Sequence, residues 1–217
     1  MEKTKLNKYK QWIEIICDDI KRVLTFNYIN NEVQGLIDKN PDIQIGTTFY
    51  WWLDNIYIES IAIGIRRQID KRSDSISLRR LLEDIKNNPE IISRERFVAS
   101  WNNKGWAKGS FDKLAGEGTQ INTKIIENDL KIIEEKVGKI KGLANKKIAH
   151  RDKNDFQDLP TYKEIDECCD YLKEIVEKYF FLLHGICLTI ILPPLYDWKK
   201  IFRIPWIKQS TGKGIHP

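Results

Sequence analysis

His150 stands in a dense run of positive charge. Between residues 139 and 153 lie Lys139, Lys141, Lys146, Lys147, Arg151 and Lys153 with one acid, Asp152. That is a local net charge of +5, equal to the excess of the whole 217-residue chain. An imidazole exchanges a proton near neutral pH, and clustered lysines and arginines attract phosphate. The combination suits cleavage of a nucleic-acid backbone by proton transfer. The same residues also fit a solvated helix end, where cations meet the negative pole of the helix dipole.

Arg66, Arg67 and Asp70 form a second polar group, in IRRQID. Arg66 and Asp70 are four apart and could pair along a helix. The group is either an ordinary surface ion pair or a device that positions the basic cluster or holds a phosphate. Glu59, inside a strongly apolar segment, calls for a buried polar partner. His184, in YFFLLHGICL, reads as a core histidine. The glycines of residues 102–120 and the terminal GKG lack the strand–loop–helix setting of a phosphate loop.

The bulk properties narrow the classes. With 41% apolar residues and a pI near 8.9, the chain supports one ordinary core with a mild basic bias. Cys17, Cys168, Cys169 and Cys187 are too few and too irregular for a disulfide framework. With no CxxC pair and three histidines, a zinc site is not expected, and no metal or other cofactor is called for. MEKTKLNKYK lacks the apolar core of a signal peptide. The most apolar run, residues 49–65, is interrupted by Asp54 and Glu59, which argues against a membrane span. A soluble cytoplasmic protein is expected.

Helical periodicity supplies the elements that must position these groups. Leu6, Tyr9, Ile13, Ile16, Ile20 and Val23 form one stripe of a first helix over residues 4–38. A second helix over 47–70 is apolar almost all round, with Phe49, Trp52, Leu53, Ile56, Ile61, Ile63 and Ile65, and is expected to be central and buried. Asp74, Ser75 or Ser77 can cap a third helix carrying Leu78, Leu81, Leu82 and Ile85. A short fourth follows over 90–101, and residues 102–120 read as a long loop. Asn122 can cap the next helix, with Ile121 and Ile126 as a staple. Its stripe of Ile126, Leu130, Ile133, Val137, Ile140 and Ala144 leads into the basic cluster. Thr161 and Glu164 have capping-box spacing before a last helix that should run to Pro193-Pro194. No alternating strand is found. The expectation is an all-α single bundle of about five to six helices with long loops. It spans residues 1–192, and 193–217 form an irregular basic-aromatic tail with Trp198, Phe202 and Trp206.

This order of features resembles the HEPN superfamily, and within it the AbiU-type subgroup linked to abortive phage infection. The resemblance is carried by IRRQIDKRSDSISLRRLL, residues 65–82, and LANKKIAHRD, residues 143–152. It implies a metal-independent endoribonuclease whose motif is an arginine, often followed by a polar residue, and then a histidine, with two copies meeting at a dimer interface. His150 falls on the family histidine and Asn145 on the polar position. The arginine's own place is Ala144, and no arginine stands between residues 123 and 150. Either the lineage lost it or it was replaced.

On that resemblance the catalytic positions are His150, Asn145 and Ala144, the last marking the missing arginine. Lys146, Lys147, Arg151, Arg66 and Arg67 would bind RNA phosphates, and Asp70 and Asp152 would orient them. The implied function is a phage-defence endoribonuclease or toxin, impaired or inactive because of Ala144. RNA, a second copy of the chain and an antitoxin or other defence protein would be its partners, without a membrane. The alternatives are a non-catalytic HEPN-like module that binds RNA or protein, and a purely structural bundle.

Overall fold

A computed structural model describes residues 2–44, 48–102, 104–149, 158–188 and 198–205, without the side chains of residues 2, 3, 147 and 149. Its described residues are all-α: seven α-helices, one π-helical turn and three short 3-10 turns, with no strand among them. The helices are α1 (Glu2–Asp38), α2 (Thr48–Arg67), α3 (Leu78–Lys86), α4 (Arg94–Ser100), α5 (Gly105–Ala115), α6 (Thr123–Leu143) and α7 (Tyr162–His184). The π turn, Ala144–Ala149, continues directly from α6.

The long stripe of α1 buries Tyr9, Ile13, Ile16, Ile20 and Val23, and α1 packs along both α7 and α2. On its inner face α6 buries Ile126, Ile133, Val137 and Ile140 against α2, α3 and α7. The expected caps form. Ser77 accepts from the Arg80 N–H at 3.2 Å, Asn122 accepts from the Lys124 N–H at 2.9 Å, and Thr161 and Glu164 make a complete capping box. Ile121 and Ile126, the expected staple, are both buried.

Three elements differ from expectation. The stretch 102–120 is not one loop but contains α5. Ala107, Phe111 and Ala115 repeat every fourth residue and are fully buried, while Gly105 and Gly109 obscure the periodicity. The excursion through α4 and α5 is closed where Arg94 N–H donates to Thr119 O and Ile121 N–H to Ile92 O.

The second helix is not buried all round. Tyr57, Ile61, Ala62 and Ile65 enter the core, but Phe49, Trp52 and Ile56 are 46%, 51% and 43% exposed. Its apolar content exceeds what one core face can take up, so the surplus faces outward. It also ends at Arg67, three residues early.

The last helix stops at His184 instead of continuing to Pro193-Pro194, which lies outside the described residues with Ile190. Gly185 adopts φ +68° and returns its N–H to Phe181 O at 2.8 Å. A Cβ there would meet Ser100 Oγ at 2.5 Å, so the stop needs glycine for space as well as for conformation.

The cysteines are free, with Cys17, Cys168 and Cys169 buried and Cys187 exposed. Among the described residues, no helix is long and apolar enough to cross a membrane.

Candidate nucleic-acid site

The basic end of α2 and the end of α6 converge. Arg66 lies in the last turn of α2, and the π turn packs against that helix. There Arg66 Nε donates to Asn145 Oδ1 at 2.5 Å. Ala144, the residue before, is fully buried, continuing the apolar stripe of α6. The winding loosens where the stripe ends: after Leu143 the helix becomes a π turn of six residues. In an α-helix, residues six apart do not share a face, so motif residues in that segment need such a departure to converge. Short π segments frequently mark functional positions.

Of the sequence-predicted site residues, His150, Arg151 and Asp152 lie outside the described residues, as does Lys153. Lys147 lies in the π turn, but its side chain is not described. The Lys146 side chain is exposed. Arg66 and Asn145 are brought together. Arg67 is exposed and pairs with Asp19 of α1 at 3.2 Å.

Asp70 is not the helical partner of Arg66. Because α2 has already ended, its carboxylate instead receives the Arg72 backbone N–H and guanidinium, each at 3.0 Å. The Arg72 N–H, then its guanidinium, then the charge of Arg66 hold the Asp70 carboxyl below its usual value. Its backbone carbonyl accepts from Ser77 Oγ at 2.6 Å. Asp70 therefore fixes the turn that leads from Arg66 and Arg67 to α3.

The basic run is less uniform than its sequence. Lys139 pairs with Glu164 at 2.7 Å and Asp158 at 3.5 Å. Lys141 pairs with Glu134 at 3.1 Å. Against a burial penalty, Lys141 and Arg79 hold the Glu134 carboxyl below its usual value. Lys139 thus ties α6 to α7 and to Asp158 before it, whereas Lys141 pairs within α6 itself.

Beside the π turn a groove of about 380 Å³ separates α1 from α2. Asp19, Arg22, Phe26, Glu59, Arg67 and Ile148 are among its lining residues. Its floor is narrow at Gly64, where a Cβ would meet Val23 Cγ2 at 2.7 Å. Glu59 is exposed on this groove rather than held by a buried partner. Asp19 and Arg22 were not singled out from sequence. They sit on the polar side of the α1 stripe, and only the approach of α2 gives them a role.

His184 is partly buried, stacks on Phe180 with ring centroids 4.3 Å apart, and lies 3.4 Å from Glu14. Burial, then the charge of Lys10, lowers its pKa. This is a packed histidine at the end of α7 and not a member of the candidate site. In the tail, Lys199 pairs with Glu32 of α1 and the Trp198 and Phe202 rings meet edge to face at 5.9 Å. Trp206 and Lys208 lie outside the described residues.

Among the described residues there is no group of three His, Cys, Asp or Glu side chains that could hold a metal ion. No curated protein matches the chain, and no solved structure matches it. A family model described as AbiU2, of the HEPN superfamily, matches residues 9–195. That span takes in most of α1, all of α2 to α7 and both sequence stretches that carry the likeness. The chain belongs to the AbiU2 family of HEPN domains.

Proposed function

We propose that this chain is a HEPN-like endoribonuclease of a prokaryotic phage-defence system. It acts on RNA as a homodimer in the cytoplasm, and Ala144 makes it slow. The observation that carries the reading is the Arg66–Asn145 contact, which delivers a guanidinium to the turn five residues before His150. Membership of a family associated with abortive infection supports the setting.

The chemistry assigns the roles. The 2′-oxygen of RNA attacks the adjacent phosphorus and the bond to the 5′-oxygen breaks. The 2′-hydroxyl proton leaves to a base, and the departing oxygen takes up a proton. His150 is the group that moves a proton. Negative charge building on the non-bridging oxygens needs a fixed donor. Alanine at 144 supplies none, and loss of one such donor costs on the order of 100- to 1000-fold. Lys146, Lys147 and Arg151 attract the backbone, though lysines act as point charges without a planar fork. Arg67 extends this basic surface, and Asp70 and Asp152 orient it.

Ala144 also favours a second reading, a non-catalytic module that binds RNA or a protein such as an antitoxin. Expression in bacteria separates the two. Ala144→Arg should arrest growth and degrade cellular RNA, and the Ala144→Arg, His150→Ala double variant should do neither. Binding of RNA that weakens steeply with salt, without cleavage by either the original chain or Ala144→Arg, would favour the binding module. Neither binding nor arrest would leave a structural bundle.

A further inference from the structure

We infer that Arg66 supplies, from α2, the phosphate-holding guanidinium that α6 does not supply at Ala144, and that it does so within the ribonuclease reading above. Its partner differs from those of the arginines that pair with carboxylates. Arg67 pairs with Asp19, Arg72 with Asp70, Arg79 with Glu83 and Glu134, and Arg94 with Asp112. Arg66 instead donates its Nε to a neutral amide oxygen. Arg80 and Arg96 also donate to neutral oxygens, but these are backbone carbonyls of Ser73, Ser75 and Ile91, not a side chain of the LANKKIAHRD stretch. An amide orients a guanidinium without cancelling its charge. Among the described residues Nε is the Arg66 atom with a hydrogen-bond partner, so the Nη1–Nη2 edge stays available for the two parallel bonds that a phosphate accepts.

Placement supports the same assignment. Asn145 directly follows the fully buried Ala144, so the anchored guanidinium is held at the same π turn. The half-buried Arg66 is held between the last turn of α2 and the π turn. Its fork is therefore oriented before substrate arrives, the condition under which a donor stabilises developing charge most.

In the step itself the 2′-oxygen bonds to phosphorus, the bond to the 5′-oxygen breaks, one proton leaves the 2′-hydroxyl and one reaches the leaving oxygen. Arg66 gives up neither proton nor electrons. It donates two hydrogen bonds to the non-bridging oxygens as their charge grows. The products are a 2′,3′-cyclic phosphate and a 5′-hydroxyl.

The test is single-turnover cleavage of an end-labelled RNA by excess full-length protein, comparing the original chain with Arg66→Gln and Arg66→Lys, each also combined with Ala144→Arg. Glutamine keeps an N–H for Asn145 but removes the charge, so a purely structural role survives it. Lysine keeps the charge and loses the fork. Thermal melting verifies that each variant folds. Arg66→Gln should slow cleavage by about 100-fold or more. Arg66→Lys should retain RNA binding yet remain about tenfold slow. With arginine at 144, the effect of Arg66→Gln should shrink to less than about tenfold, because two guanidinia then serve one phosphate.

Unchanged cleavage by Arg66→Gln would overturn the inference. So would an equal loss in both backgrounds, which would make Arg66 a brace. If the original chain cuts no faster than His150→Ala while Ala144→Arg cuts, Arg66 supplies nothing and the ribonuclease reading stands. If neither the original chain nor Ala144→Arg cuts, that reading fails and the inference falls with it.

Discussion

Arg66 Nε and Asn145 Oδ1 meet across 79 residues of sequence, joining the last turn of α2 to the π turn that continues α6. The contact directly links the two sequence stretches that carry the family likeness. Asn145→Ala removes the acceptor and leaves a partly buried guanidinium N–H without it. The expected cost is about 1–3 kcal/mol of stability. Urea unfolding should register it as a lower midpoint at unchanged slope. A change within ~0.3 kcal/mol would mean that water replaces the contact freely.

The surplus apolar face of α2 sets the expected assembly. Phe49, Trp52 and Ile56, spaced by three and four, are each close to half exposed. A contiguous exposed apolar stripe of this kind marks an interaction surface, and a two-fold contact with a second copy is the commonest way to cover one. The protein should be a dimer by light scattering at micromolar concentration. Trp52→Glu should give a monomer with unchanged helical content. A monomeric original chain, or a dimer that tolerates Trp52→Glu, would contradict this surface.

Glu164 sets part of the acid response. The Lys139 ammonium, then the Thr161 backbone N–H, draw its carboxyl down to about 2. A depressed folded-state pKa contributes stability that is present above the ordinary value of 4.5 and is lost as pH falls through about 2. Glu164→Gln should therefore lower the melting temperature at pH 7, and the difference should shrink as pH falls from the ordinary value of 4.5 through about 2, where the original carboxylate becomes protonated. Parallel curves at all pH values would show that the cap works without its charge.

Much of the bundle was legible because local rules agreed with tertiary packing. The α6 stripe, the Asn122 and Ser77 caps and the Thr161–Glu164 box all use residues within one or two turns. The failures arose where distant contacts decide. Gly105 and Gly109 hid α5, whose Ala107, Phe111 and Ala115 line reads as a helix only once α7 and α4 are seen to cover it. The apolar residues of α2 gave no sign of which would face outward. Gly185 looked like one more residue of a long apolar helix, yet the nearness of Ser100 makes it the stop.

The site shows the same division. LANKKIAHRD marked Asn145 by position, but its partner Arg66 lies 79 residues away and was paired with Asp70 on helical spacing. That spacing lost its meaning once α2 ended at Arg67 and Asp70 turned to Arg72. Lys139 and Lys141 read as part of a phosphate-binding run because their acidic partners, Glu164 and Glu134, are too far in sequence or on too different a turn to notice.

The central claim is that His150 and a guanidinium at the end of α6 form an RNA-cutting centre. The most direct measurement is end-group analysis of RNA incubated with purified Ala144→Arg protein in excess EDTA. The account predicts fragments ending in 2′,3′-cyclic phosphate and beginning with 5′-hydroxyl, at a rate on the order of 100-fold above the original chain, and none when His150 is also changed to Ala. A folded, dimeric Ala144→Arg protein that leaves RNA intact, or cleavage that persists without His150, would contradict it.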